Sequence, residues 1–142
     1  MPQARKRIIN IPLPAYAGDG AFSRIADEII QPAVLEIKPE LILVSAGFDS
    51  HWSDPLTMLG LSSQGFFNLS RRLLELADEH CKGRIVFVLE GGYDPHNVAN
   101  GAQAVFTALA GLATQFDAKD SNPQEEPDIE ARLNEIRTWH GF

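Results

Sequence analysis

The chain has a single cysteine, Cys81, among its 142 residues. It can form neither an internal disulfide nor a cysteine-rich zinc site, and a reducing compartment is the expectation. Basic clusters are missing beyond Arg5-Lys6-Arg7, and the net charge is −7. Such a chain makes a poor direct binder of nucleic acid, because the main attraction to phosphate would have the wrong sign. Long apolar runs are missing too: the longest fall far short of the ~20 residues that span a bilayer. The N-terminal basic residues lead into Asn10, Pro12 and Pro14 rather than into the apolar core of a signal peptide. The sequence therefore predicts a cytoplasmic protein without a membrane partner. It contains no His-x₃-His pair, no Gly-x-Ser-x-Gly elbow, no Walker loop and no dinucleotide glycine pattern.

What remains is an ordinary globular composition, 44% apolar and 22% charged, enough for one compact domain and short for two. Residues 7–13 predict a short strand that Pro12 and Pro14 terminate. Apolar residues recur at helical spacing from Phe22 to Ile37. Pro32 falls inside that pattern and should kink or split the helix; Pro39 closes it. Leu41-Ile42-Leu43-Val44 and Ile85-Val86-Phe87-Val88-Leu89 are continuous aliphatic and aromatic runs, the signature of parallel strands covered on both faces. Between them, residues 63–82 carry an apolar stripe, with Ser62 or Ser63 as cap and Gly83 as stop. A third helix is expected across 96–113 and a short terminal one across 128–139, with an acidic linker or loose loop at 117–127.

The alternation of strand and helix predicts an α/β fold, a parallel sheet flanked by helices. The predicted division is a domain over 1–116, followed by an acidic linker and short terminal helix over 117–142. Strands buried on both faces need neighbours that this chain barely supplies, which is the first indication of a part of something larger.

Ligand sites in open α/β sheets form beyond the carboxyl ends of the strands. Two loops meet that rule: Ser45-Ala46-Gly47-Phe48-Asp49, running on to Asp54-Pro55-Leu56, and Glu90-Gly91-Gly92-Tyr93. A carboxylate such as Asp49 is a hard oxygen ligand for a divalent metal. A phenol such as Tyr93 can donate to an oxygen that gains charge in a transition state. Gly91 and Gly92 let backbone approach a substrate. By position alone the plainer roles stay open. Asp49 can be a turn or cap residue, Tyr93 a packed aromatic, and His51 a surface polar residue in a loop. Cys81 reads as a packing residue of its helix.

Taken in order, Asn10-Ile11-Pro12-Leu13, Pro32, Pro39, Ser45-Ala46-Gly47-Phe48-Asp49 with His51, Asp54-Pro55-Leu56 and Glu90-Gly91-Gly92-Tyr93 form a series. It resembles the carboxyl-terminal part of the histone deacetylase superfamily, nearest to bacterial acetylpolyamine amidohydrolase and acetoin-utilisation types and to class II deacetylases. The likeness covers roughly residues 8–113. It implies the carboxyl-terminal half of an arginase/deacetylase-like α/β fold. It further implies a zinc-dependent amidohydrolase that removes acetyl or related acyl groups from lysine or polyamine amines. Asp49 matches the zinc ligand that follows the family's Asp-x-His motif, and Tyr93 matches the tyrosine that polarises the acyl carbonyl. Leu56 matches a rim residue of the substrate tunnel, and Gly91 and Gly92 match its floor. Asp54 is expected to hold its loop, and the resemblance gives His51 no ligand role. The paired histidines and the Asp-x-His ligands have no counterpart in this sequence, so the expectation is a partial hydrolase that needs a complementing upstream half. Two other readings stand beside it. One is a non-catalytic binding or assembly module that self-associates; the other is a different metal hydrolase that uses Asp49 with Asp54 or His51.

Overall fold

A computed structural model describes residues 8–141. The expected first strand is not formed. Arg7 lies outside the described residues; Ile9, Ile11 and Leu13 pack inward, but residues 8–13 pair with no strand among the described residues. Pro12 and Pro14 have no N–H to give to a ladder, so alternation alone secures this stretch.

The helix expected to kink or split at Pro32 changes its winding just before that residue. α1 (Asp19–Ile25) passes into a π-helical turn (Ala26–Ile30) and then into α2 (Gln31–Ile37), with Pro32 in the first turn of α2. Ile30 and Gln31 before it keep helical backbone angles, so the proline sits inside a continuous helix and needs local room for its ring and its missing N–H. The wider turn just before it lets the chain continue without a break.

β1 (Ile42–Ala46) leads through a long loop to α3 (Ser63–Cys81), and β2 (Ile85–Leu89) returns parallel beside β1. Ile42 lies opposite Ile85 and Ala46 opposite Leu89, so the strands end level. Ser62 caps α3: its Oγ accepts from the Gly65 amide at 3.0 Å. At the far end the left-handed turn begins one residue earlier than expected, at Lys82 (φ +55°), and continues through Gly83. α4 (Pro95–Leu109) starts from Asp94, whose Oδ1 accepts from the amides of His96 and Asn97, both at 2.9 Å. It ends four residues sooner than expected, and α5 (Glu130–His140) closes the described chain.

The protein is α/β, as expected, but the two strands are covered on one face only. Val44, Ala46 and Phe87 are half-buried, whereas Leu43 is 68% exposed and Val88 56% exposed. The apolar runs that look like doubly covered strands thus have one uncovered face among the described residues. Two cores result. One gathers Ala21, Ile25 and Ile29 with Leu133 and Ile136 of α5. The other gathers Phe48, Leu61, Phe66, Ala104 and Ala108 beneath the ends of the strands.

The segment expected to be a loose linker folds back instead. Glu126 accepts from the amides of Gly18 (2.9 Å), Gly20 (3.1 Å) and Ala21 (2.5 Å), and Asp120 reaches the loop after β1. Residues 117–127 and α5 therefore pack with the rest of the chain. No helix among the described residues is long and apolar enough to cross a membrane.

Candidate active site

Because β1 and β2 are parallel and end level, both motif loops leave the same end of the sheet. They are joined at once. The Phe48 amide donates to the Gly91 carbonyl at 2.8 Å, and the Glu90 amide to the Ala46 carbonyl at 3.2 Å. Phe48 is the anchor. Its ring is buried edge-on against Phe66, with centroids 5.3 Å apart. A Cβ on Gly101 of α4 would come within 2.2 Å of that ring, so the helix can lie this close only with glycine there. With Phe48 fixed, Asp49 follows at the rim, half-buried.

The Asp49 carboxylate lies against Gly91. A Cβ at that glycine would sit 3.0 Å from all three carboxyl atoms. Gly92 needs its freedom for a second reason, since its φ is +130° and a Cβ would meet Val98 at 2.5 Å. Thr57 donates its hydroxyl to the Asp49 carbonyl and holds the backbone of that residue. Tyr93 is exposed, as is Leu56. Their mutual support is Asp54, which is 6% exposed. Its Oδ1 accepts from the Leu56 amide at 2.9 Å and its Oδ2 from the Tyr93 amide at 3.0 Å. Asp54 thus fixes one residue of each loop with a single carboxylate.

His51 is not a surface residue. It is 2% exposed and stacks at 6.3 Å on Phe66. Its Nε2 lies 3.0 Å from Asp120 Oδ1, and its Nδ1 lies 3.0 Å from Ser53 Oγ. Asp120 also accepts from the Trp52 indole at 2.9 Å and the Ser63 amide at 2.9 Å. Burial pushes the Asp120 carboxyl up, but hydrogen bonds from Ser63 and Trp52 and the neighbouring His51 outweigh it. The group lies below its ordinary value. Asp120 lies in the acidic stretch that reads as linker in the sequence. Nothing in its spacing announces a partner 69 residues away.

The reading that pairs Asp49 with Asp54 or His51 around a metal finds no support. Asp54 and His51 spend their polar atoms on the loops, and no group of three or more His, Cys, Asp or Glu side chains comes together among the described residues. A catalytic zinc ion takes three protein ligands. The two loops bring one carboxylate, so these residues by themselves do not fit the ion.

A parallel sheet with helices, whose two carboxyl-end loops carry an acid and a phenol, is an α/β architecture with a candidate ligand site at that edge. A family model, the histone deacetylase domain, matches residues 1–109. The chain belongs to the histone deacetylase family. It is similar to a probable deacetylase of Archaeoglobus fulgidus, 49% identical over 85 residues, which cover 60% of this chain and 24% of the relative. It is also similar to a histone deacetylase-like amidohydrolase of Pseudomonas aeruginosa, 35% identical over 142 residues, 94% of this chain and 37% of the relative. Among solved structures, that of the histone deacetylase Clr3 superposes with a TM-score of 0.80 at 24% identity. It covers 95% of this chain and 22% of that one, and shows the shared fold. The chain thus spans between 24% and 37% of the length of these two curated relatives.

Proposed function

We propose that this chain forms part of the active centre of a zinc-dependent amidohydrolase acting on acetylated or similarly acylated amines of lysine or polyamines. The observation that carries the reading is the Phe48–Gly91 hydrogen bond of 2.8 Å. It locks together the two loops in which the family's ligand and phenol positions fall, with the Asp49 carboxylate packed on Gly91.

In this reading Tyr93 donates its hydroxyl to the acyl carbonyl oxygen, which gains negative charge as the carbon becomes tetrahedral. A fixed donor aimed at that oxygen lowers the barrier because it needs no reorganisation when the charge appears. Gly91 and Gly92, whose missing side chains let Asp49 and Val98 pack close, form the floor of the acyl site with their backbone, and the exposed Leu56 offers apolar contact at the mouth. Asp54 keeps Tyr93 and Leu56 in register. Asp49 supplies one carboxylate toward a zinc ion whose other ligands come from residues outside these two loops. When bound, that ion supplies Lewis-acid polarisation and an activated water. The uncovered sheet face accords with a chain that completes its centre with further structure, a complementing upstream part.

The test joins this chain to the preceding part of the Pseudomonas aeruginosa relative and assays an acetyl-lysine peptide and an acetylpolyamine. The chain alone is expected to be inactive and the joined protein active with zinc. Tyr93→Phe should then lower the rate by about 10²–10³. A joined, folded protein that hydrolyses equally well with phenylalanine at 93 overturns the role of the phenol. Tyr93-dependent hydrolysis by the chain alone overturns the need for a complement.

A further inference from the structure

The loop from Gly47 to Leu61 has no regular structure beyond isolated bridges, yet it carries Asp49, Asp54 and Leu56. Its polar interior is one continuous chain. Asn97, on α4 and 3% exposed, lies with its Oδ1 3.1 Å from Ser53 Oγ, and its buried Nδ2 has no hydrogen-bond partner. Ser53 Oγ is 3.0 Å from His51 Nδ1, and His51 Nε2 is 3.0 Å from Asp120.

Hydrogen positions follow from what each atom can give. The Asp120 carboxylate, held below its ordinary value, only accepts, so His51 Nε2 carries a proton. The Ser53 amide also points at His51 Nδ1, at 3.3 Å, so that nitrogen presents its lone pair. Ser53 Oγ must then donate to Nδ1, or two acceptors would face each other at 3.0 Å. A hydroxyl has one proton. Having given it to His51, Ser53 accepts from Asn97, whose amide is therefore turned over so that nitrogen faces the serine. Amide orientation and histidine tautomer are settled by such networks.

We propose that Asp120 and His51 are positioning residues of the candidate site, acting on the Asp49 loop through a one-way hydrogen-bond chain from Asn97 through Ser53 and His51 to Asp120. The chain ties the loop to α4 at one end and to the segment after α4 at the other. Asp120 lies beyond residues 1–109, where the family match ends, so the site extends past the matched domain. The proposal rests on the reading above only in treating the Asp49 loop as part of a site; the chain of bonds stands without it.

The experiment is nitrogen-15 NMR of the histidine rings of the 142-residue chain near neutral pH, with amide exchange as a second measurement. His51 should carry its proton on Nε2 with Nδ1 accepting. Asp120→Asn keeps Oδ1 for His51 and Trp52 and loses only the acceptor for the Ser63 amide; it should preserve that tautomer. Asp120→Ala should abolish it and speed exchange of the Trp52 and Tyr93 amides about tenfold or more, with the Lys38 amide of α2 unchanged. A proton on Nδ1 in the unsubstituted chain overturns the proposal, whether or not the alanine variant folds. So does an asparagine variant that behaves like the alanine one, which would leave Asp120 a plain strut for α3. Asp49→Asn and Tyr93→Phe should leave the His51 signals in place, so loss of hydrolysis on those changes speaks only to the catalytic reading.

Discussion

The carboxylate of Asp54 accepts the amide of Tyr93 at 3.0 Å with one oxygen, while its other oxygen holds the amide of Leu56 in its own loop. The exposed phenol and the exposed leucine are thus set by the same buried acid, itself part of the Asp-Pro-Leu motif.

Asp54→Ala removes both acceptors. Bonds to a charged group contribute about 1.5–3 kcal/mol each at most, and water reaches the exposed ends here, so a loss of about 2 kcal/mol is expected. Asp54→Asn retains one acceptor oxygen and should fall between. Urea unfolding measures both, and equal midpoints for Asn and the original residue would show that one of the two bonds contributes nothing.

Alanine at the two glycines should act differently. At Gly92 it would have to adopt φ +130° and push against Val98, so stability should drop by about 1–3 kcal/mol or more. At Gly91 the clash is with the movable Asp49 carboxylate, so stability should change less. In the joined protein proposed above, however, Gly91→Ala should reduce zinc affinity, because it displaces the acid. Unfolding midpoints and zinc titration separate the two effects.

Glu126 gives α1 the cap that Gly18 cannot, since Gly18 has no side chain to accept the first amides. Glu126→Ala should cost about 0.5–2 kcal/mol, the range for a lost cap. Glu126→Gln, still an acceptor but without charge at the helix N-terminus, should cost less. An alanine variant as stable as the original would show that the returning segment does not stabilise α1.

The lowered pKa of Asp120 fixes a sign. The unfolded chain binds this proton at higher pH than the folded chain does, so stability from Asp120 is complete above the ordinary carboxylate range. It is lost as pH falls through the lower folded value. Unfolding curves of the original chain and of Asp120→Asn should therefore lie furthest apart above that range and converge in acid. A gap independent of pH would show that the carboxylate ionises alike in both states.

Much of this molecule was set by local sequence. Helical spacing, the Pro32 interruption, the Ser62 and Asp94 caps and the two aliphatic runs depend on residues within a few positions of one another, and such local preferences need no distant partner. The strand-to-loop placement of Asp49 and Tyr93 followed from the same runs. Residues 8–13 show where that stops: their alternation is real, but a strand exists only if a partner accepts its hydrogen bonds. The tertiary structure alone decided that His51 is buried, that an acidic stretch is a clasp, and that one face of the sheet lies open. Asp120 and Glu126 are ordinary acids until folding brings N–H groups to them from 69 and 108 residues away. The worth of a carboxylate depends on which donors surround it, and those donors are assembled by packing, not by adjacency along the chain.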